Sequence, residues 1–139
     1  MGGLESIAIK IVGTAEVATG NLRPLLHEIR HALSRLLATG EPSCVDLASL
    51  PLTPTEERAL LDVLGRGEIE VKLDSLGPST IYETAYDGVW VVTHRNLDDQ
   101  VMTKFIEITF VPEIIKSHAA DVQLGLDRLQ TRLEGSDRP

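Results

Sequence analysis

The chain is short of several things. It has one cysteine, Cys44, five aromatic residues, and thirteen Lys and Arg against twenty-one Asp and Glu, with no long apolar run. A single thiol excludes an internal disulfide and any cysteine-built metal cage within this chain. The formal net charge of −8 argues against general nucleic-acid binding, because neutralising phosphates supplies most of that affinity. Two Phe, two Tyr and one Trp leave little to stack on bases. No segment approaches the roughly 18 consecutive apolar residues of a membrane-spanning helix. The start, Met1 to Gly13, has neither the basic nor the long apolar region of a secretory signal. Met1–Ser6 fits a loose acylation pattern, but no basic residues flank it and a lone acyl chain binds membranes weakly. The expectation is a cytoplasmic protein with no nucleic-acid or membrane partner. Its 139 residues suffice for a single domain over 1–139 with a real core.

What is present is periodic. Ile7, Ile9 and Ile11 alternate with Ala8, Lys10 and Val12, the pattern of a strand. Leu22, Leu26, Ile29, Leu33 and Leu36, widened by Leu25, Ala32 and Leu37, predict an amphipathic helix from an Asn21 cap to Gly40. Cys44 to Leu47 reads as a short strand with a buried, inert thiol. Thr53 and Glu56 form a capping box with Pro54 at the first helical position, and Gly65 closes that helix. Ile69, Val71 and Leu73 alternate with charged residues as in a half-buried strand, broken at Gly77-Pro78. Thr80–Tyr86 and Val89–Arg95 flank Asp87-Gly88, a type I′ hairpin signal. A loop at Asn96–Asp99 leads to a strand over Val101–Val111. Pro112 then opens a last helix, whose Ile115, Ala119, Val122, Leu126, Leu129 and Leu133 step four and three residues apart. A stripe of that length is expected to pack on the sheet or on a second copy of the chain, making truncation after Ser117 disruptive. The class is α+β: a mainly antiparallel sheet of four to five strands, helices on one face, and a long C-terminal helix.

One motif suggests chemistry. His27-Glu28-Ile29-Arg30-His31 matches the H-E-x-x-H signature of zinc hydrolases, in which two imidazoles one turn apart hold the metal and the Glu polarises its water. At about 100° per residue these histidines point away from the Leu22/Leu26/Ile29/Leu33 stripe, into solvent. Arg30 sets a cation inside the motif, and neither His94 nor His118 has the context of a third ligand. The reading is a solvated polar helix face with no metal and no resident cofactor, the small zinc hydrolase being the alternative. No phosphate-binding glycine loop, dinucleotide fingerprint or nucleophile elbow is present.

From Leu50 to Ser117 a set of segments occurs in order: Leu50-Pro51-Leu52, Leu64-Gly65-Arg66-Gly67-Glu68-Ile69-Glu70, Ile81-Tyr82-Glu83-Thr84, Gly88-Val89-Trp90, Phe105-Ile106-Glu107 and Pro112-Glu113-Ile114-Ile115. Together they resemble the C-terminal conserved domain of HupH/HyaF-type hydrogenase expression/formation proteins. The resemblance covers about half the chain, and whether the region before residue 44 belongs to it is left open by these segments. The resemblance implies a non-enzymatic, chaperone-like accessory protein of nickel–iron hydrogenase maturation. Its partners would be the iron–sulfur small subunit or other maturation proteins. It brings no catalytic residues. With one cysteine the chain does not hold a four-thiolate cluster itself, so any service to cluster assembly runs through contact.

The hairpin pattern offers a contact surface. A two-residue turn at Asp87-Gly88 pairs Ala85 with Trp90 and Glu83 with Val92, and the next loop sets Trp90 against Phe105 and His94 against Val101. One sheet face then collects Glu83, Trp90, Val92, His94, Val101, Phe105 and Glu107. The other collects Tyr82, Thr84, Val89, Val91, Met102, Ile106 and Ile108, the expected helix-covered core. Glu83, Trp90, His94, Phe105 and Glu107 are the candidate partner-binding residues, because a lone Trp among carboxylates suits an interface core. A third reading makes the chain an oligomerisation module built on the last helix, giving a homodimer.

Overall fold

The computed structural model describes residues 20–74 and 77–135. The expected strand over Ile7–Val12 and the Met1–Ser6 segment lie outside them. The described residues form three α-helices, α1 (Leu22–Thr39), α2 (Pro54–Leu64) and α3 (Ala119–Gly135). Five strands accompany them: β1 (Ser43–Asp46), β2 (Glu70–Asp74), β3 (Pro78–Glu83), β4 (Val89–Arg95) and β5 (Val101–Ile108). The strands make one antiparallel sheet in the order β1-β5-β4-β3-β2, so the fold is α+β.

Local chemistry accounts for the helices. α1 ends where Gly40 turns left-handed at φ 78° and donates its N–H to the Leu36 carbonyl at 2.8 Å. Asn21 precedes the helix without a side-chain cap bond. α2 begins with a reciprocal capping box: the Glu56 N–H donates to Thr53 Oγ1 at 3.1 Å, and Glu56 Oε1 accepts the Thr53 N–H at 3.0 Å. Two free backbone donors are thereby satisfied, and Glu56 is carried into the interior as a hydrogen-bonded residue.

Both helices cover one sheet face. Leu25, Ile29, Ala32 and Leu36 of α1 and Leu60 and Leu64 of α2 bury themselves against Val89, Ile106 and Ile108. Lys104 of β5 pins α2 from the sheet through a 3.0 Å ion pair with Glu57. The opposite face carries a second cluster of Ile81, Trp90 and Val92, with Val71, Leu73, Phe105 and Ile115 against it. Two cores therefore share one sheet, and the alternation along β3, β4 and β5 feeds both.

Several expectations need correction. Pro112 opens a single 3₁₀ turn, Glu113–Ile115, and α3 starts only at Ala119. α3 buries none of its residues, so its stripe does not pack on the sheet. The turn at Asp87-Gly88 is not type I′, since only Gly88 of the pair has positive φ, at 91°. β3 ends at Glu83. Thr84 Oγ1 accepts the Tyr86 N–H, Tyr86 O accepts the Val89 N–H at 3.0 Å, and Glu83 pairs with Trp90. The register is displaced by two residues from the expected one. An even displacement leaves every side chain on its expected face. The β4–β5 pairing is displaced by two residues as well, one from a loop running through Gln100 and one from a bulge between His94 and Arg95, so Trp90 opposes Glu107, Val92 opposes Phe105, and Val101 opposes Arg95 instead of His94.

Candidate functional site

Pairing across the sheet arranges the second face in rows. Glu83 of β3, Trp90 of β4, Glu107 of β5 and Cys44 of β1 make one row across four strands. The next row runs Ile81, Val92, Phe105 and Asp46, and a third places Ser79 beside His94 and Thr103. The five residues expected on a common face are therefore on one face. They differ in what each can offer.

Trp90 is 3% exposed, and its indole N–H donates to the Thr109 carbonyl at 3.1 Å. It is the centre of the second core. Glu83 is half-buried, and its Oε2 accepts the Gly88 N–H at 3.0 Å, bracing the hairpin turn. His94 shares a 2.7 Å hydrogen bond between Nδ1 and Ser79 Oγ, and its ring meets Phe105 edge-on with centroids 6.2 Å apart. Glu107 is half-buried, and burial pushes its carboxyl above the ordinary Glu range, opposed in part by the nearby His94. Cys44 is exposed, contrary to the expected burial. Partial desolvation, then the charges of Glu107 and Asp46, raise its thiol pKa, so it stays protonated and weakly nucleophilic.

Sequence reasoning missed a cleft at the end of the first row. Pro42, Ser43, Cys44, Glu107, Thr109, Val111 and Glu113 line it. No local spacing announces it, because Cys44 and Glu107 meet only when β1 pairs with β5.

The H-E-x-x-H motif lies on the outer face of α1. His27, Glu28 and His31 are exposed, and the Arg30 guanidinium sits 3.4 Å from both His27 Nδ1 and His31 Nε2. A cation held between two rings is the reverse of what a dication site requires. His94 is on the far face of the sheet from α1, and His118 is exposed ahead of α3. No group of three His, Cys, Asp or Glu suited to a metal occurs among the described residues. No helix there is long and apolar enough to cross a membrane.

A five-stranded antiparallel sheet with two helices on one face and a mixed apolar and acidic surface on the other makes this an α+β fold. Its family is also clear. The model of the HupH hydrogenase expression protein, C-terminal conserved region, matches residues 19–135, and the chain belongs to that family. The match extends the likeness back from residue 44 through all of α1. The chain is similar to the solved hydrogenase expression protein HupH from Thiobacillus denitrificans, with 47% identity and a TM-score of 0.82 over 86% of this chain and 100% of that one. It is 32% identical over 115 residues to the hydrogenase expression/formation protein HoxQ of Azotobacter vinelandii, covering 79% of this chain and 40% of that protein. It is 28% identical over 103 residues to HupH of Rhizobium leguminosarum bv. viciae, covering 73% and 36%. The chain thus spans well under half the length of these curated relatives.

Proposed function

We propose that the chain is a cytoplasmic, non-enzymatic accessory protein of nickel–iron hydrogenase maturation that holds the iron–sulfur small subunit by contact. Membership of the HupH family, whose relatives carry hydrogenase expression/formation names, is the observation that carries this reading. The contact surface is the acidic end of the second sheet face: Glu107 and its cleft, with His94, Phe105 and Glu83 beside it. Trp90 supports that surface from below, since it is almost wholly buried. The chemistry suits a basic or amide-rich client segment. A half-buried carboxylate gains more from a cationic partner than a fully solvated one does, because less water competes for it. The one thiol present, kept protonated, is a poor competitor for iron destined for a client.

The test is capture of the small subunit by the wild-type chain, Glu107→Gln and Phe105→Ala, with circular dichroism on each. Capture by the wild type should weaken as salt rises, and Glu107→Gln should lower the retained fraction severalfold without unfolding. A wild-type chain that captures no small subunit would overturn the accessory role. Capture unaffected by both substitutions would move the contact elsewhere on the molecule.

A further inference from the structure

α3 is a 17-residue helix that buries none of its own residues. Val122, Leu126, Leu129 and Leu133 are 49–57% exposed, whereas most helical stability in proteins comes from packing an apolar face. Its apolar stripe has the same three-and-four spacing as that of α1 but is narrower. α1 presents a broad face in which Leu25, Ile29, Ala32 and Leu36 are buried and Leu22, Leu26 and Leu33 widen the contact, and it lies on a sheet. α3 presents a narrow seam, Ala119, Val122, Leu126, Leu129 and Leu133, in alternating steps of three and four. That 3.5-residue repeat is the pitch at which one helix winds on another.

The residues flanking the seam indicate the partner. In heptad terms Ala119, Leu126 and Leu133 occupy a, with Val122 and Leu129 at d. Gln123 and Gln130 then fall at e, with Gly125 and Arg132 at g. Two copies can face each other in either direction without an acidic pair at the flanks, although the whole chain carries −8. Gly125 adds an independent observation. A glycine inside a helix is costly, and within one chain a side chain there would meet nothing within 4 Å. Beside the seam its bare backbone lets a second helix approach closely.

We infer that α3 is a homodimerisation helix that pairs with α3 of a second copy along the Val122/Leu126/Leu129/Leu133 seam. A seam about 21 Å long from Ala119 to Leu133 falls in the small-interface class, so the association is weak and reverses on dilution. Screening of the mutual repulsion of two acidic chains strengthens it as salt rises. That salt response is opposite to the one expected for client capture, so the two readings fail separately.

The experiment is sedimentation velocity on the full chain over a concentration series at low and high salt. Wild type, Leu126→Glu/Leu129→Glu and Leu124→Glu are compared. Leu124 is 58% exposed but lies off the seam, so it controls for general hydrophobicity. Emission from the buried Trp90 reports that each variant keeps its sheet. The wild type should dimerise, Leu124→Glu should match it, and the seam variant should weaken association by about a hundredfold or more. A wild type monomeric throughout the series overturns the inference. So does a dimer that survives the seam substitutions, or one lost equally in Leu124→Glu.

Discussion

Replacing Trp90 separates a core role from a surface role. The side chain is 3% exposed, lies against Ile81 and Val92, and spends its one polar atom on the Thr109 carbonyl. Trp90→Ala removes the largest side chain of the second core, at a cost of about 3–5 kcal/mol. Domains of this kind are stable by about 5–15 kcal/mol, so the loss ranges from a fifth of the total to all of it. At roughly 3–5 °C per kcal/mol, the melting temperature falls by about 10–25 °C. Trp90→Phe keeps most of the apolar volume and leaves only the Thr109 carbonyl without its donor, for about 1–2 kcal/mol. Urea titrations followed by circular dichroism measure both, since each variant removes the sole indole. In the wild type, acrylamide should quench the native indole far less than the unfolded one. Equal quenching in the two states, or a Trp90→Ala variant within about 0.5 kcal/mol of wild type, would refute a buried Trp90.

Two further substitutions probe the same architecture. Burial raises the Glu107 pKa in the folded chain, so the native state binds more protons there than the unfolded state between the two pKa values, and Glu107 costs stability as pH rises through that window. Glu107→Gln should accordingly melt higher than wild type at pH 7 and converge with it below the ordinary Glu pKa, checked by thermal scans at both pH values. At Gly77 the backbone has φ 120°, and a Cβ there would collide with the Arg95 carbonyl oxygen, so Gly77→Ala should destabilise by about 3 kcal/mol or more in a urea titration.

Elements defined by local chemistry were legible in the sequence. The Thr53/Glu56 box and the closing glycines Gly40 and Gly65 set α1 and α2 because each satisfies specific orphan backbone groups, and Pro54 removes one at the start of α2. Strand faces were legible too, since alternation survives a two-residue slip and Glu83, Trp90, His94, Phe105 and Glu107 stay together. Register was not legible. It depends on the Thr84 hydroxyl folding back on Tyr86 and on the bulge at His94/Arg95, both decided by tertiary fit. Cys44 was misplaced for a related reason. Its apolar neighbours suggested burial, whereas its strand lies at the sheet edge with the thiol facing outward. The histidine pair was the converse case, correct in spacing and on a real helix but turned to solvent with Arg30 between the rings.

The place of β1 in the sheet bears on the order of folding. β3, β4 and β5 pair with sequence neighbours through short connections, whereas β1 joins β5 across about sixty residues, Asp46 meeting Phe105. Closing so large a loop carries an entropic cost that only finished contacts offset, and contacts of that separation slow the folding of small domains. During synthesis β1 emerges early and waits for β5. The Cys44–Glu107 cleft therefore does not exist until β5 and the segment after it, through Glu113, have been made and β1 has paired. Under the function proposed above, a client that reads this cleft meets it only on a chain whose β1 and β5 have already paired.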